Sequence, residues 1–108
     1  MAAQKERAIE PVKVTDEVAA ISCTAGDELI REEVWKDAAG RVVRFNLAFI
    51  NSHLFAGDHG RVLGYNRAHG RLHRHFAGTV EEIEPGEYDA IIERFIDEVN
   101  ELRTRSKL

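Results

Sequence analysis

At 108 residues, 44% hydrophobic and 31% charged, the chain has the length and composition of one globular domain. No stretch approaches the roughly 20 apolar residues that span a bilayer, and the N-terminal residues lack the apolar segment of a signal peptide. The single cysteine, Cys23, excludes an internal disulfide, and its apolar neighbours predict a buried side chain. We therefore expect a cytoplasmic single domain over residues 1–108, flexible over residues 1–10 and without a membrane partner.

The net charge of −4 conceals an uneven distribution of charge along the chain. Residues 1–58 carry 7 basic and 10 acidic side chains, residues 59–80 carry 4 and 0, and residues 81–108 carry 4 and 9. All five histidines lie between residues 53 and 75. This cationic window, residues 59–80, favours a local anionic ligand such as a phosphate over the coating of a long duplex.

The first half of the chain is predicted to consist mostly of strands. Residues 12–24 are rich in β-branched side chains and predict a strand, with a short helix as the alternative. Residues 28–36 precede a turn signal at residues 38–40, which predicts a hairpin. Residues 41–50 alternate apolar and polar side chains, the pattern of a strand with one buried face.

The second half predicts shorter strands followed by a helix. Residues 61–66 and 71–76 predict two strands with a reversal at residues 68–70, and residues 78–84 predict a connection or an edge strand. From residue 87 onward, apolar side chains recur at steps of three and four, which is typical of an amphipathic helix. The stripe consists of Tyr88, Ile91, Ile92, Phe95, Ile96, Val99 and Leu102. The expected fold class is α+β: a curved antiparallel sheet of about four to six strands with a C-terminal amphipathic helix packed on one face.

Strand parity divides residues 71–76 between two faces of the sheet. Arg71, His73 and His75 project to one face, and Leu72, Arg74 and Phe76 project to the other. Because the apolar pair is suited to the core, the guanidinium and the two imidazoles of the first set are expected on the exposed face. Arg74 then needs a buried acid, a path to solvent or a bulge. Tyr65 and Arg67 are expected beside the exposed set, across a hairpin turned at His69.

The exposed set suits metal-independent cleavage of RNA. Imidazole titrates at about pH 6.5, so His73 and His75 can divide the acid and base roles, with His69 as a third candidate. Arginine binds phosphate through paired hydrogen bonds and stabilises charge that gathers during transfer. The candidate phosphate- or RNA-binding residues are Arg61, Arg67, Arg71, Arg74 and Tyr65, of which Tyr65 would stack a base or donate a hydrogen bond. No metal or other cofactor is expected, because the cationic window lacks carboxylates for Mg²⁺.

Three alternatives stay open at this point. The hairpin is an ordinary exposed cationic surface, or it is a non-enzymatic module that docks a phosphate-bearing ligand or an acidic partner protein. A transition-metal site at His69, His73 and His75 is the third, although the neighbouring arginines would repel a cation. A homodimer is compatible with each of them.

Four short segments of the cationic window resemble the TumE-type toxin family of bacterial toxin–antitoxin modules, formerly a domain of unknown function. They are residues 60–66 (GRVLGYN), 68–70 (AHG) and 73–75 (HRH), and Gly78. The likeness extends over roughly residues 41–102, and its specific motifs lie between residues 60 and 78.

The resemblance implies a small antiparallel sheet with a C-terminal amphipathic helix, and a toxin that acts on RNA or translation. It also implies a helix-turn-helix antitoxin as partner, encoded by a neighbouring gene. One position departs from the pattern, since Tyr65-Asn66-Arg67 stands where the family typically has Tyr-Asp-Asn. The combined hypothesis is a toxin that acts as a metal-independent ribonuclease.

Overall fold

A computed structural model describes residues 10–22 and 28–106 of the chain. Six strands, one helix and a short 3-10 turn (Asp58–Gly60) occur in these residues. They are β1 (Val12–Ser22), β2 (Glu28–Lys36), β3 (Val42–Ile50), β4 (Arg61–Ala68), β5 (Arg71–Phe76), β6 (Thr79–Ile83) and α1 (Tyr88–Ser106). The predictions for Cys23 and residues 1–9 fall outside the described residues.

The strands form one open sheet in which each strand pairs with the next, antiparallel, in the order β1 to β6. This arrangement confirms the predicted α+β class, and residues 12–22 form the strand rather than the helix. The predicted hairpin turn at residues 38–40 is present, because Asp37 accepts the backbone N–H of Gly40 and donates its own N–H to Arg41. Among the described residues, no helix is long and apolar enough to cross a membrane.

Two-residue turns join the strands of the cationic window. His69 and Gly70 have φ values of 54° and 76°, and Ala77 and Gly78 have φ values of 47° and 86°. Two successive residues with positive φ are the mark of a type I′ turn, whose twist matches that of the flanking strands. Glycine at the second position removes the Cβ clash there. The predicted reversal at residues 68–70 is therefore one residue shorter than expected.

The core lies between α1 and one face of the sheet, where the helix rests against β3 and β4. The predicted apolar faces meet there: Phe45 lies edge-on to Tyr88 with 5.0 Å between ring centroids. The buried side chains of this layer are Val34, Phe45, Leu47, Phe49, Leu63, Tyr65, Leu72, Ile91, Phe95 and Val99. Ile96 departs from the predicted stripe, because it is 49% exposed.

The opposite face of the sheet, here called the open face, carries no helix among the described residues. Residues directly opposite in an antiparallel pair share a face. Asn46 of β3 therefore lies on the same face as Asn66 of β4, and Gly64 on the same face as His75. The fold thus separates a helix-covered face, which holds most of the core, from an open face that carries Asn46, Asn66 and His75.

Candidate functional site

His75 lies on the open face in β5, and both of its ring nitrogens make hydrogen bonds. Its Nδ1 lies 3.0 Å from Nη2 of Arg61, and its Nε2 lies 2.7 Å from Oδ1 of Asn66. A guanidinium can only donate, so Nδ1 accepts and the ring proton sits on Nε2. Burial lowers the pKa of His75 below its ordinary value of 6.5, and the positive charge of Arg61 lowers it further. The imidazole is therefore neutral at pH 7, in a single tautomer.

Arg61 is the first residue of β4, and its side chain extends along this strand to His75 on β5. Its Nε lies 2.8 Å from Oδ2 of Asp58, in the turn before β4, and this ion pair fixes the position of the guanidinium. Its side chain passes directly over Gly64, where an added Cβ would come within 2.9 Å of Arg61 Cδ. Glycine at this position thus leaves the space that the arginine needs.

A groove of ≈ 420 Å³ opens on this face between β2 and β5. Its lining comprises Glu33, Trp35, Arg44, Phe45, Asn46, Arg61, Asn66, Arg67, Ala68 and His75. The guanidinium of Arg44 lies 4.6 Å from the centroid of the Trp35 ring, a cation–π contact that also offers a flat surface. Trp35 is half-buried on the open face.

Glu33 anchors the far side of the groove through three hydrogen bonds. Lys13 donates to it at 2.6 Å, Asn46 at 3.0 Å and Arg31 at 3.1 Å. The hydrogen bonds from Lys13 and then Asn46 lower the pKa of Glu33 to about 2. The carboxylate stays ionised at pH 7, but two cations compensate its charge, so it does not make the groove anionic.

The remaining predicted residues of the exposed set lie on the same face at different depths. His73 is half-buried, two residues from His75, with Asn66 opposite on one side and Glu82 on the other. Arg71 is exposed, with its Nη1 3.9 Å from Oε1 of Glu82. His69 stands exposed at the tip of the β4–β5 turn, outside the groove lining. Within residues 10–22 and 28–106, no group of three or more His, Cys, Asp or Glu side chains is placed to hold a metal ion.

Tyr65 and Arg74 lie on the helix-covered face, away from the histidines, which corrects the predicted neighbourhood. They are paired across β4 and β5, and Tyr65 is 0% exposed. Both donate to Glu98 of α1, and Arg74 Nε also donates to the Tyr65 hydroxyl at 3.2 Å. Of the three arrangements predicted for Arg74, the structure contains the pairing with a partly buried acid, Glu98. Because both side chains point to the helix, neither Tyr65 nor Arg74 contacts a ligand on the open face.

Arg67 also follows the helix-side parity, opposite Phe45 and Leu72. Its Nη1 lies 3.5 Å from the carbonyl oxygen of Gly86, and its Nε is buried without a hydrogen-bond partner among the described residues. It borders the groove near the end of β4 rather than beside His75.

Replacing Glu98 by glutamine is expected to destabilise the fold at pH 7 by about 1–3 kcal/mol, because Arg74 loses its charged partner. Burial alone would raise the pKa of Glu98, but hydrogen bonds from Arg74 and Tyr65 outweigh it and lower the pKa below 4.5. The folded-state pKa lies below the unfolded one, so the stabilisation exists above pH 4.5 and disappears as the pH falls through the lowered pKa. Urea unfolding at pH 7 and at pH 3 measures this, with exposed Glu93→Gln as control. A Glu98→Gln loss that persists unchanged at pH 3 would contradict it.

The groove residues that were not among the predicted site residues include Arg44, Asn46 and Asn66. The period-two pattern of residues 41–50 already places Arg44 and Asn46 on the polar face of β3. The pattern does not show how β3 pairs with β2 and β4, and this pairing places Arg44 beside Trp35 and Asn46 beside Asn66.

Comparisons with known proteins gave no match that could assign a function to this groove. No family model matches the chain. A search of curated proteins found no match, and a search of solved structures found none either. The functional argument therefore rests on the groove itself.

Proposed function

We propose that the open-face groove binds single-stranded RNA and that the protein cleaves it without a metal ion, as the toxin of a toxin–antitoxin module. The observation that carries this proposal is the neutral His75 in hydrogen-bonding contact with Arg61, inside a groove that also holds Arg44, Trp35 and two asparagines. A sheet surface with aromatic and arginine planes is a common platform for unpaired bases. The resemblance of the cationic window to TumE-type toxins supports the same assignment.

The cleavage step would divide between two imidazoles on one face. Residues two apart in a strand lie roughly 6.5–7 Å from each other, so His73 and His75 can flank one phosphate. His75 accepts the proton of the ribose 2′-hydroxyl while the 2′ oxygen bonds to phosphorus. The bond from phosphorus to the 5′ oxygen breaks, and His73 donates a proton to that oxygen. The products are a 2′,3′-cyclic phosphate and a 5′-hydroxyl.

Arg61 would serve this step in two ways. It is the groove cation nearest to His75, so an incoming phosphate attracts it through paired, charge-assisted hydrogen bonds. When the guanidinium turns to the phosphate, it releases the lone pair of His75 Nδ1. The base thus becomes available when substrate is present.

A second function, binding without cleavage, is favoured by the same hydrogen bonds. Both ring nitrogens of His75 are engaged, by Arg61 and Asn66. If those contacts persist with RNA bound, His75 orients Arg61 and has no free nitrogen for proton transfer. The protein would then be a module that docks a phosphate-bearing ligand, or the acidic segment of a helix-turn-helix antitoxin.

Incubation with a single-stranded RNA in the presence of EDTA is expected to yield fragments ending in 2′,3′-cyclic phosphate. The matched substrate is the same sequence with 2′-O-methyl groups, which should bind in a fluorescence anisotropy assay and stay intact, because it lacks the nucleophile. Binding of both oligonucleotides without cleavage of either would select the non-enzymatic function. If neither oligonucleotide binds at low salt, both functions fail. Expression in a bacterial host, with growth as the readout, checks the toxin assignment separately.

A further inference from the structure

We propose that Asn46 and Asn66 together form a nucleobase subsite of the groove, with the Arg44–Trp35 pair as its stacking surface. This inference deepens the proposed function and rests on it, because it identifies what part of an RNA the groove recognises besides phosphate. The ligand class is an unpaired nucleobase that presents a hydrogen-bond acceptor and a donor side by side.

The orientation of the Asn46 amide follows from its contact with Glu33. Asn46 Nδ2 lies 3.0 Å from Glu33 Oε1. Glu33 also accepts from Lys13 and Arg31, so it is ionised and can only accept. The amide must therefore place its nitrogen toward Glu33, which leaves Oδ1 as a free acceptor.

The orientation of the Asn66 amide follows from a longer chain of contacts. Arg61 can only donate, so the His75 nitrogen that faces it, Nδ1, carries no proton. The proton is then on Nε2, which lies 2.7 Å from Asn66 and must donate to an oxygen. Asn66 therefore places Oδ1 toward His75 and leaves its Nδ2 as a free donor.

The two amides lie side by side on the open face. Asn46 and Asn66 are cross-strand partners of β3 and β4, so their Cα atoms are roughly 4.5–5.5 Å apart. Both line the groove, and neither free amide atom makes a hydrogen bond within the described part of the chain. The contact of Asn46 with Glu33 and that of Asn66 with His75 fix the two amides, so that one free acceptor, Asn46 Oδ1, and one free donor, Asn66 Nδ2, lie next to each other.

A nucleobase is the ligand that fits this pair. Its edge presents donors and acceptors in one plane, and amide side chains read such edges through two hydrogen bonds. The oxygens of a phosphate or of a carboxylate can only accept, so either group would leave Asn46 Oδ1 facing another oxygen. Arg44 and Trp35 lie two strand positions from these amides, on the same face, where a flat ring can stack on the exposed guanidinium of Arg44, which Trp35 supports.

An abasic scan of a bound oligonucleotide tests the subsite. An eight-nucleotide 2′-O-methyl RNA, which the protein cannot cut, is compared by anisotropy with versions that lack one base each. We expect one position at which loss of the base weakens binding about tenfold, the size of one bidentate base contact. In Asn46→Leu the ratio of the two dissociation constants at that position should fall to about one. Asn100→Leu, an exposed asparagine of α1, should keep the tenfold ratio.

Asn66→Asp provides a second, independent variant. It retains an oxygen for His75 Nε2–H and removes only the free Nδ2 donor. Its added charge weakens all oligonucleotides alike, so the base-dependent ratio should still fall toward one.

The outcomes separate this inference from the proposed function. Equal binding of every abasic version, or a tenfold ratio retained in both Asn46→Leu and Asn66→Asp, would overturn the subsite while RNA binding stands. Absence of binding by any oligonucleotide would remove the proposed function and the subsite together.

Discussion

Replacing His75 by alanine is expected to lower the rate of RNA cleavage at pH 7 by about 10²- to 10⁴-fold, the usual contribution of a general base. Burial and the positive charge of Arg61 lower the pKa of His75 below its ordinary value, so the neutral, proton-accepting imidazole predominates at this pH. His73→Ala should produce a loss of similar order, because the leaving oxygen then lacks its acid. Single-turnover cleavage of a short RNA in EDTA measures both.

The pH profile distinguishes a base from a residue that only positions Arg61. Because burial and Arg61 lower the pKa of His75, the loss of wild-type cleavage with falling pH, as the imidazole becomes protonated, should occur at lower pH than for an ordinary histidine. His75→Gln can preserve hydrogen bonds in the groove but not proton transfer, so it should lose activity and keep RNA affinity.

His53→Ala is the matched control for these variants. His53 is exposed, lies in the loop before β4 and is absent from the groove lining, so its removal should change the rate less than twofold. A comparable loss in His53→Ala, or full activity in His75→Ala, would refute the acid–base assignment.

Replacing Phe95 by alanine is expected to destabilise the protein by about 3–5 kcal/mol. Phe95 is 1% exposed and packs edge-on against Tyr65, with 6.2 Å between ring centroids. The cavity left beside Tyr65 adds to the lost transfer free energy. Because small domains have a total stability of about 5–15 kcal/mol, this change alone should bring the fold close to unfolding at 25 °C.

Urea unfolding followed by circular dichroism measures the Phe95 effect. Ile96→Ala is the control, because it shortens the next side chain of the same helix, which is 49% exposed, and should cost less than about 1 kcal/mol. Equal losses in the two variants would mean that α1 does not present Phe95 to the sheet.

Local patterns of sequence predicted the elements because each pattern depends only on neighbours along the chain. The alternation in residues 41–50 and the three- and four-residue spacing after residue 87 produced β3 and α1 close to their observed bounds. Parity within β5 likewise placed His73 and His75 on one face and Arg74 on the other. The prediction was wrong for Ile96, because the apolar stripe of a helix can be wider than the surface against which the helix packs.

The neighbourhood of Tyr65 shows why pairing between strands could not be predicted in the same way. A reversal centred on His69 would set Tyr65 opposite His73, but the actual two-residue turn at His69 and Gly70 sets it opposite Arg74. A shift of one residue in the register of a strand moves each of its side chains to the other face of the sheet. Tyr65 thus enters the core, and Asn66 takes the place beside His73.

The sequence by itself therefore determined the fold class, the helix and the face on which the two imidazoles lie, since these follow from periodicity and charge. Tertiary structure decided which side chains join them, because turn length and register bring together residues from β2, β3 and β4 that are distant in sequence. Asn66, Arg44 and Trp35 reach the groove in this way. Tertiary structure also decided the tautomer of His75. Arg61, fourteen residues away in sequence, extends over Gly64 and donates to His75 Nδ1.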